Sequence, residues 1–364
     1  MRVAATLASW RRLRLFPLSI SALSLALGFY GGFIRLGIQL PGGVPSIADF
    51  HGAFMISGFL GTVICLERAV ALGRLWPYAG PFLSSLGAIA LLAGVPPFGA
   101  LAFASAGAVM LAALATTAVR QFALFTLVLS LGTACWIAGT LQWLLGGFTA
   151  AVTGWWLNFL VLTVAAERLE LSRMRDVSRP SQIVFAGATL LLLLGSARSE
   201  FIESWAPLTA AGLLGYAAWL FRYDIARRTI QLSGQPRFSA VAILIGHGWL
   251  GVTGILLLVA PPSATAFSYD ASVHAITIGF ALSMIFGHAP IILPAVTGIR
   301  IQFNPLGYAP LILLHISVVL RIAGDFLESA DLRLASGLAT IVALAAYLVT
   351  ILLASTMRAS HRTV

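Results

Sequence analysis

The composition of this 364-residue chain excludes an ordinary soluble protein. Hydrophobic residues make up 59% of the sequence, charged residues only 9%, and the mean hydropathy is +0.97, whereas a soluble domain carries about a quarter charged residues. The formal net charge of +10 comes from arginine alone, since the sequence contains no lysine. These arginines fall in short segments between apolar runs, which indicates membrane topology rather than a nucleic-acid partner. The lipid bilayer is therefore the predicted solvent.

Apolar runs of about 18 to 25 residues recur along the whole chain, and each is long enough to cross a hydrocarbon core about 30 Å thick. Backbone groups in that core must be satisfied within the run, and the alternation of a membrane barrel is missing, so the runs are predicted to be helices. We predict an all-α, polytopic bundle of about twelve transmembrane helices in one integral membrane domain, residues 1–364. The predicted helices span residues 16–37, 49–72, 76–95, 98–119, 121–145, 149–168, 181–197, 205–222, 238–260, 269–295, 306–324 and 334–356.

The distribution of arginine predicts the orientation of the chain in the inner (plasma) membrane. With both termini in the cytoplasm, most arginines fall on the cytoplasmic side. The longest polar stretch, Arg222 to Arg237, is then a cytoplasmic loop. The first helix follows a basic stretch, but its length and the even helix count favour an uncleaved helix over a signal peptide. Only four arginines fall outside: Arg35, Arg198, Arg321 and Arg333.

A weak internal repeat accompanies this pattern. Glu67-Arg68 near the end of the second predicted helix recurs as Glu167-Arg168 near the end of the sixth, each after a Phe-Leu pair. The tenth helix begins HAITIGF, which is similar to HGAFMISGF in the second. These matches predict up to three units of four helices, at 16–119, 121–222 and 238–356, with chance similarity between apolar helices as the alternative. The Glu-Arg pairs are interpreted as interfacial anchors or inter-helix salt bridges.

Histidine is the residue type that points to function. All of the six histidines except His361 fall in predicted spans, where ionisable side chains face the bundle interior and pair, ligate or relay protons. His51 follows Asp49 at the outer end of the second helix, and His274 follows Asp270 at the outer end of the tenth. Both helices run in the same direction, so the two imidazoles are expected at similar depth with small residues beside them. This pattern suits bis-histidine ligation of haem b; the alternative is two structural histidines bonded to loop carboxylates.

Three further residues are candidates for the same cofactor site. Met55 lies one turn below His51 and is expected to pack on the haem or, as the weaker option, to ligate it. Arg35 and Arg321 lie at the outer side, where guanidinium groups suit haem propionates. The alternative for Arg321 is an ion pair with Asp325, one helical turn further on.

A second group of histidines, His247, His288 and His315, is predicted near mid-membrane. Three neutral imidazoles suit copper or another borderline metal. The alternatives are a proton relay or polar contacts between helices. Pro290 and Pro294 are expected to kink the tenth helix just after His288 and to free carbonyls there, which gives His288 a structural role as well.

The topology, the HG-x-x-M sequence at His51 and the histidine on the tenth helix resemble the haem–copper oxidase subunit I superfamily. In that superfamily helices 2 and 10 supply the two axial ligands of a low-spin haem. The resemblance implies this role for His51 and His274, and a propionate-binding role for Arg321. The predicted sixth and seventh helices contain no histidine, although the superfamily takes its copper ligands from that region. Its oxygen-reducing centre is therefore not expected here.

The stretch HAITIGF…M…GH on the tenth helix is similar to NnrS-type membrane proteins, although the interval between its two histidines is shorter. These are twelve-helix, haem- and copper-associated proteins linked to the response to nitric oxide. The resemblance implies a haem-b-binding membrane protein in electron transfer or nitric-oxide and redox response, with a redox partner or a small diffusible gas. Whether the protein is an enzyme is left open. The alternatives are a secondary transporter of a small molecule or metal ion, or a structural subunit of a larger complex.

Overall fold

The structure, a computed structural model, confirms the all-α class. It describes residues 2–40, 45–146, 150–173, 178–197, 202–265 and 267–356, and within these ranges the regular structure is helical without a β-strand. Among the described residues, nine helices are long and apolar enough to cross a membrane by length and composition. The count of twelve spans and the cytoplasmic termini stay predictions. His361 and Arg198 lie outside the described residues.

A helix occupies each position at which the sequence predicts one. The nine candidate spans lie on α1, α2, α4, α5, α7 and α9 to α12, while α3, α6 and α8 occupy the other three predicted positions. Short helices precede α2 and follow α8, at Pro45–Asp49 and Ala226–Thr229. The helices are α1 (Arg2–Arg35), α2 (Ala53–Leu72), α3 (Ala79–Leu92), α4 (Pro96–Arg120), α5 (Leu124–Gly146), α6 (Ala150–Ser172), α7 (Arg179–Ala197), α8 (Ile202–Tyr223), α9 (Gln235–Val259), α10 (Ser268–Thr297), α11 (Tyr308–Phe326) and α12 (Ala330–Thr356).

The chain divides into two compact units. Unit 1 comprises Met1–Glu170 and Thr189–Trp205, and unit 2 comprises Leu171–Ala188 and Ala206–Val364. These boundaries differ from the three predicted four-helix units, because residues of the predicted middle unit are divided between the two compact ones. The predicted units were drawn from short sequence matches, which do not report how helices pack.

In unit 1 the first half of α2 packs against α1 and α3, and α3 and α4 pair along their lengths. Unit 2 has the same order of neighbours: the first half of α10 packs against α9 and α11, and α11 pairs with α12. The helix sets α1–α4 and α9–α12 are therefore internally alike. That likeness is what an internal repeat of residues 16–119 and 238–356 requires.

The Glu-Arg repeat contributes a contact inside unit 1. Arg68 on α2 bonds through Nη2 to its neighbour Glu67, at 3.0 Å, and to Glu167 on α6. The two copies of the motif thus form an inter-helix salt bridge, which confirms one of the two predicted interpretations. Arg168 is buried, with only 3% of its surface exposed.

Candidate functional site

Each of the two candidate haem ligands lies just before a π-helical segment. On α2 this segment is Ala53–Gly61, after His51, and on α10 it is Ala275–Leu282, after His274. Both helices then continue as regular α-helix. π-Helical turns are rare and occur frequently at functional sites, because the wider turn redirects side chains and backbone groups. The π-helical segments are not predictable from the sequence, since hydrophobic spacing does not distinguish them from α-helix.

The imidazole of His51 is fixed against α1 in unit 1. Its Nδ1 lies 2.6 Å from the carbonyl oxygen of Gly28. A carbonyl only accepts, so Nδ1 carries the proton and donates, and the ring lone pair is on Nε2. Metal-binding histidines are usually held in this way, with one nitrogen bonded to a carbonyl or carboxylate. His51 therefore has the tautomer that ligation through Nε2 requires.

Two glycines of α1 make room for this arrangement. A Cβ atom at Gly32 would lie 3.2 Å from both Cε1 and Nδ1 of His51, closer than ordinary van der Waals contact. A Cβ atom at Gly28 would overlap the sulfur of Met55. Met55 thus packs on α1 at Gly28, whose carbonyl oxygen holds His51. Met55 and His51 are therefore neighbours in unit 1, as the sequence predicts.

His274 in unit 2 is held by the residue one turn before it. Its Nδ1 lies 2.9 Å from the main-chain oxygen of Asp270 and 3.3 Å from Oδ1 of the Asp270 carboxylate. A contact of this kind, between histidine and a nearby carboxylate, is what the alternative interpretation of His274 as a structural residue predicts. The same contact also orients a ligand, because a carboxylate on Nδ1 fixes the ring and raises the basicity of Nε2. His274 and His51 therefore share one tautomer although different groups hold them.

Arg321 on α11 binds carboxylates of the protein itself. Its Nε donates to Oδ2 of Asp270 at 2.6 Å and lies 3.7 Å from Oδ2 of Asp325. The predicted contact with Asp325 is present, but Asp270 is the closer partner, and the sequence interpretation missed it. Arg321 therefore acts on His274 through Asp270, and its predicted role with a propionate has no support in these contacts. Arg35, at the end of α1, is exposed.

Two of the deeper histidines, both in unit 2, have partners of their own. Nδ1 of His315 accepts a hydrogen bond from the indole nitrogen of Trp249 at 3.0 Å, and its Nε2 lies 3.4 Å from Oγ of Ser283. Nδ1 of His288 donates to the main-chain oxygen of Met284 at 2.7 Å. Both nitrogens of His315 are therefore engaged, which leaves it unsuited to ligate a metal.

His247, the third member of the predicted copper site, lies beside a different group. Its Nε2 is 3.6 Å from Oδ2 of Asp224, and both side chains are fully buried. Within the described part of the chain, no group of three or more His, Cys, Asp or Glu residues is arranged to hold a metal ion. The structure thus lends no support to a copper site of His247, His288 and His315. Each imidazole is directed to its own neighbours instead.

Comparison with known proteins places most of the chain in one family. Among curated proteins no match is found. A family model described as a domain of unknown function, DUF8744, matches residues 12–356. This range includes both candidate ligands and all the helices from α2 to α12. The chain therefore belongs to the DUF8744 family.

Proposed function

We propose that this protein is a haem-b-binding integral membrane protein that transfers electrons, with His51 and His274 as iron ligands. The observation that carries the proposal is the tautomer of the two imidazole rings. In each, Nδ1 is bonded to a main-chain carbonyl, so the lone pair is on Nε2. Imidazole Nε2 is the nitrogen that most often ligates metals in proteins.

The surroundings of both rings support ligation. Gly28 and Gly32 leave space beside His51 that a Cβ atom would fill. The Asp270 carboxylate beside His274 is itself fixed by Arg321, as the outer partners of metal-binding histidines commonly are. A π-helical segment after each histidine adds a local distortion of the kind found at functional sites.

Haem b would supply one-electron exchange within the membrane. Gly28 would hold the His51 ring through its main-chain oxygen, and Asp270 would hold the His274 ring, so that Nε2 of each could bind the iron. If histidine fills both axial positions, no position is left open for a gas, so electron transfer is favoured over nitric-oxide binding. The proposal includes the inner (plasma) membrane, twelve spans and cytoplasmic termini, for which nine candidate spans and the arginine distribution are the support.

A reduced-minus-oxidised spectrum of the full-length protein, purified in detergent after expression with haem supply, tests the proposal. We expect a haem-b band in the wild type that is lost in His51→Ala and in His274→Ala. His288→Ala is the matched control, because its Nδ1 is also held by a main-chain carbonyl although it is not a proposed ligand. The band should survive in this control. A colourless wild-type protein would refute the proposal.

Transport of a small molecule or metal ion is the second candidate function. It is favoured by the interruptions of α10, which contains a π-helical segment and also Pro290 and Pro294. Interrupted helices form the binding sites of many secondary transporters. Uptake of a small molecule or metal ion into proteoliposomes that contain haem-free wild-type protein would favour transport. A stoichiometric haem in the purified protein would favour electron transfer.

A further inference from the structure

Asp224 lies in the stretch that the sequence assigns to a cytoplasmic loop, yet its side chain is fully buried. Its carboxylate Oδ2 is 3.6 Å from Nε2 of His247 on α9, whose side chain is buried to the same degree. Arginines surround Asp224 in the sequence and give the stretch its polar appearance. The composition of this stretch therefore does not predict that its acidic side chain is buried.

The pair lies deep along a candidate membrane span. The short helix Ala226–Thr229 follows Asp224 and packs against α9 before the chain turns at Gly234, which has a φ of 68°. His247 is 12 residues after Gln235, where α9 begins (247 − 235), and at 1.5 Å per residue this is about 18 Å along the helix axis. The contact between Asp224 and His247 is therefore far from Gly234, where the chain turns from the short helix into α9.

Capping of the short helix does not explain why residue 224 is an acid. Asp224 Oδ1 accepts a hydrogen bond from the main-chain nitrogen of Ala226 at 2.7 Å, and an asparagine oxygen would accept the same bond. The second carboxylate oxygen faces His247. An ionisable side chain at such a depth is costly and usually functional. An acid and an imidazole together lower that cost, since one proton can reside on either of them.

We propose that Asp224 and His247 form a proton-binding site inside unit 2. The ring of Phe221 meets the His247 ring edge-on, with centroids 6.0 Å apart. Phe221 also lines a cleft on the side of the short helix, together with Arg227, Ile230, Gln231 and Leu244. Protons enter from this cleft, and Phe221 separates the cleft from the pair. The site does not depend on haem binding.

Most of the charged and titratable side chains close to Asp224 in the sequence are arginines. The short helix and its neighbours contribute arginines, and residues 280–287 of α10, which pack against α9, include no ionisable side chain. The acidic side chain that faces His247 is that of Asp224. The charged and titratable side chains close to it in the sequence are Arg222 and Tyr223 at the end of α8 and Arg227 and Arg228 on the short helix. On the two packed helices, α9 carries Arg237, and His288 directly follows residue 287 of α10.

Nuclear magnetic resonance of the full-length protein with ¹⁵N-labelled histidine tests the proposal. His247→Gln identifies the His247 signals, and the wild type is titrated from mildly acidic to mildly alkaline pH. We expect His247 to change protonation in this range. In Asp224→Asn, which keeps the bond to Ala226, the proton affinity of His247 should fall about tenfold or more because the facing negative charge is gone.

Equal proton affinity in the wild type and Asp224→Asn would overturn the proposal. Should Asp224→Asn fail to fold, the wild type decides alone, and a His247 ring that never changes protonation overturns it. If protons enter from the cleft, Phe221→Ala should speed hydrogen–deuterium exchange of the His247 ring N–H several-fold. Phe326→Ala is the matched control, because Phe221 and Phe326 are 42% and 43% exposed. Unchanged exchange in Phe221→Ala would exclude this path.

Discussion

Arg321 on α11 donates its Nε–H to the Asp270 carboxylate on α10 at 2.6 Å. The other carboxylate oxygen of Asp270 faces Nδ1 of His274 at 3.3 Å. The guanidinium thus fixes the group that fixes the candidate ligand, within one unit. A change at Asp270 should therefore be felt at His274 even though Nε2 of that ring is untouched.

Asp270→Asn should destabilise the protein by about 1–3 kcal/mol, because Arg321, whose side chain is only 11% exposed, loses its charged partner. Thermal unfolding in detergent measures the change. Asp331→Asn, at an exposed acid in the first turn of α12, is the control and should leave stability within about 0.5 kcal/mol. In a haem-loaded protein the midpoint potential should rise, since the group on Nδ1 of His274 is then a neutral amide and the ring donates less electron density to the iron. Equal stability of Asp270→Asn and wild type would contradict the role of this contact.

Gly32→Ala should lower haem occupancy, because the new methyl group would press on the His51 ring at 3.2 Å and displace it. The haem-to-protein ratio after purification checks this. Gly187→Ala is the control: a Cβ atom there meets no atom within 4 Å, and alanine in an α-helix is favoured over glycine by about 0.5–1 kcal/mol. Full occupancy in Gly32→Ala would show that the glycine is not needed for the ring position.

The helix positions followed from the sequence because a bilayer demands long apolar runs, and a helix was found at every predicted position. The length of α3 did not follow, since the run predicted at 76–95 is helical in α-form only over Ala79–Leu92. The π-helical segments Ala53–Gly61 and Ala275–Leu282 were also missed. One extra residue in a turn is stabilised by packing on neighbouring helices, and apolar spacing does not contain that information.

The candidate ligands could be selected from the sequence because histidine in an apolar run is costly and therefore conspicuous. The hydrogen-bond partners of these ligands could not be predicted from the sequence. The carbonyl that holds His51 belongs to Gly28, on another helix, and a main-chain oxygen has no sequence signature. Helical spacing indicated Asp325 as the alternative partner of Arg321, whereas its closer partner Asp270 comes from α10. Contacts between helices decide such pairings, and sequence spacing within one helix does not.

Glu167→Gln should destabilise unit 1 by about 1 kcal/mol, since it removes the charge that joins α6 to Arg68 on α2. The value is modest because the Glu167 side chain is 23% exposed and partly screened by water. Glu67→Gln should cost less, because Glu67 and Arg68 are neighbours on one helix. Thermal unfolding of both variants checks the order. A larger loss in Glu67→Gln would show that the inter-helix bridge is not the stabilising contact.

Gly279→Ala should be about as damaging to stability as Asp270→Asn, because the added methyl group would overlap a rigid ring. A Cβ atom at position 279 would lie 2.5 Å from Cγ of Trp249, with two further ring atoms within 2.9 Å, and an indole ring cannot bend away as a flexible chain can. We expect a loss of about 1–3 kcal/mol, together with weakening of the Trp249–His315 hydrogen bond, which ultraviolet Raman spectra of the indole N–H report.

Gly248→Ala is the control for this change, because a Cβ atom there meets Phe221 at an ordinary 3.9 Å. Replacing the indole as well, in Gly279→Ala with Trp249→Leu, should restore part of the stability lost in Gly279→Ala, since the smaller side chain relieves the overlap. The coupling between the two positions measures how closely the indole packs on the π-helical segment. Strictly additive effects would mean that Trp249 does not rest on Gly279, and that the segment after His274 is held by other contacts.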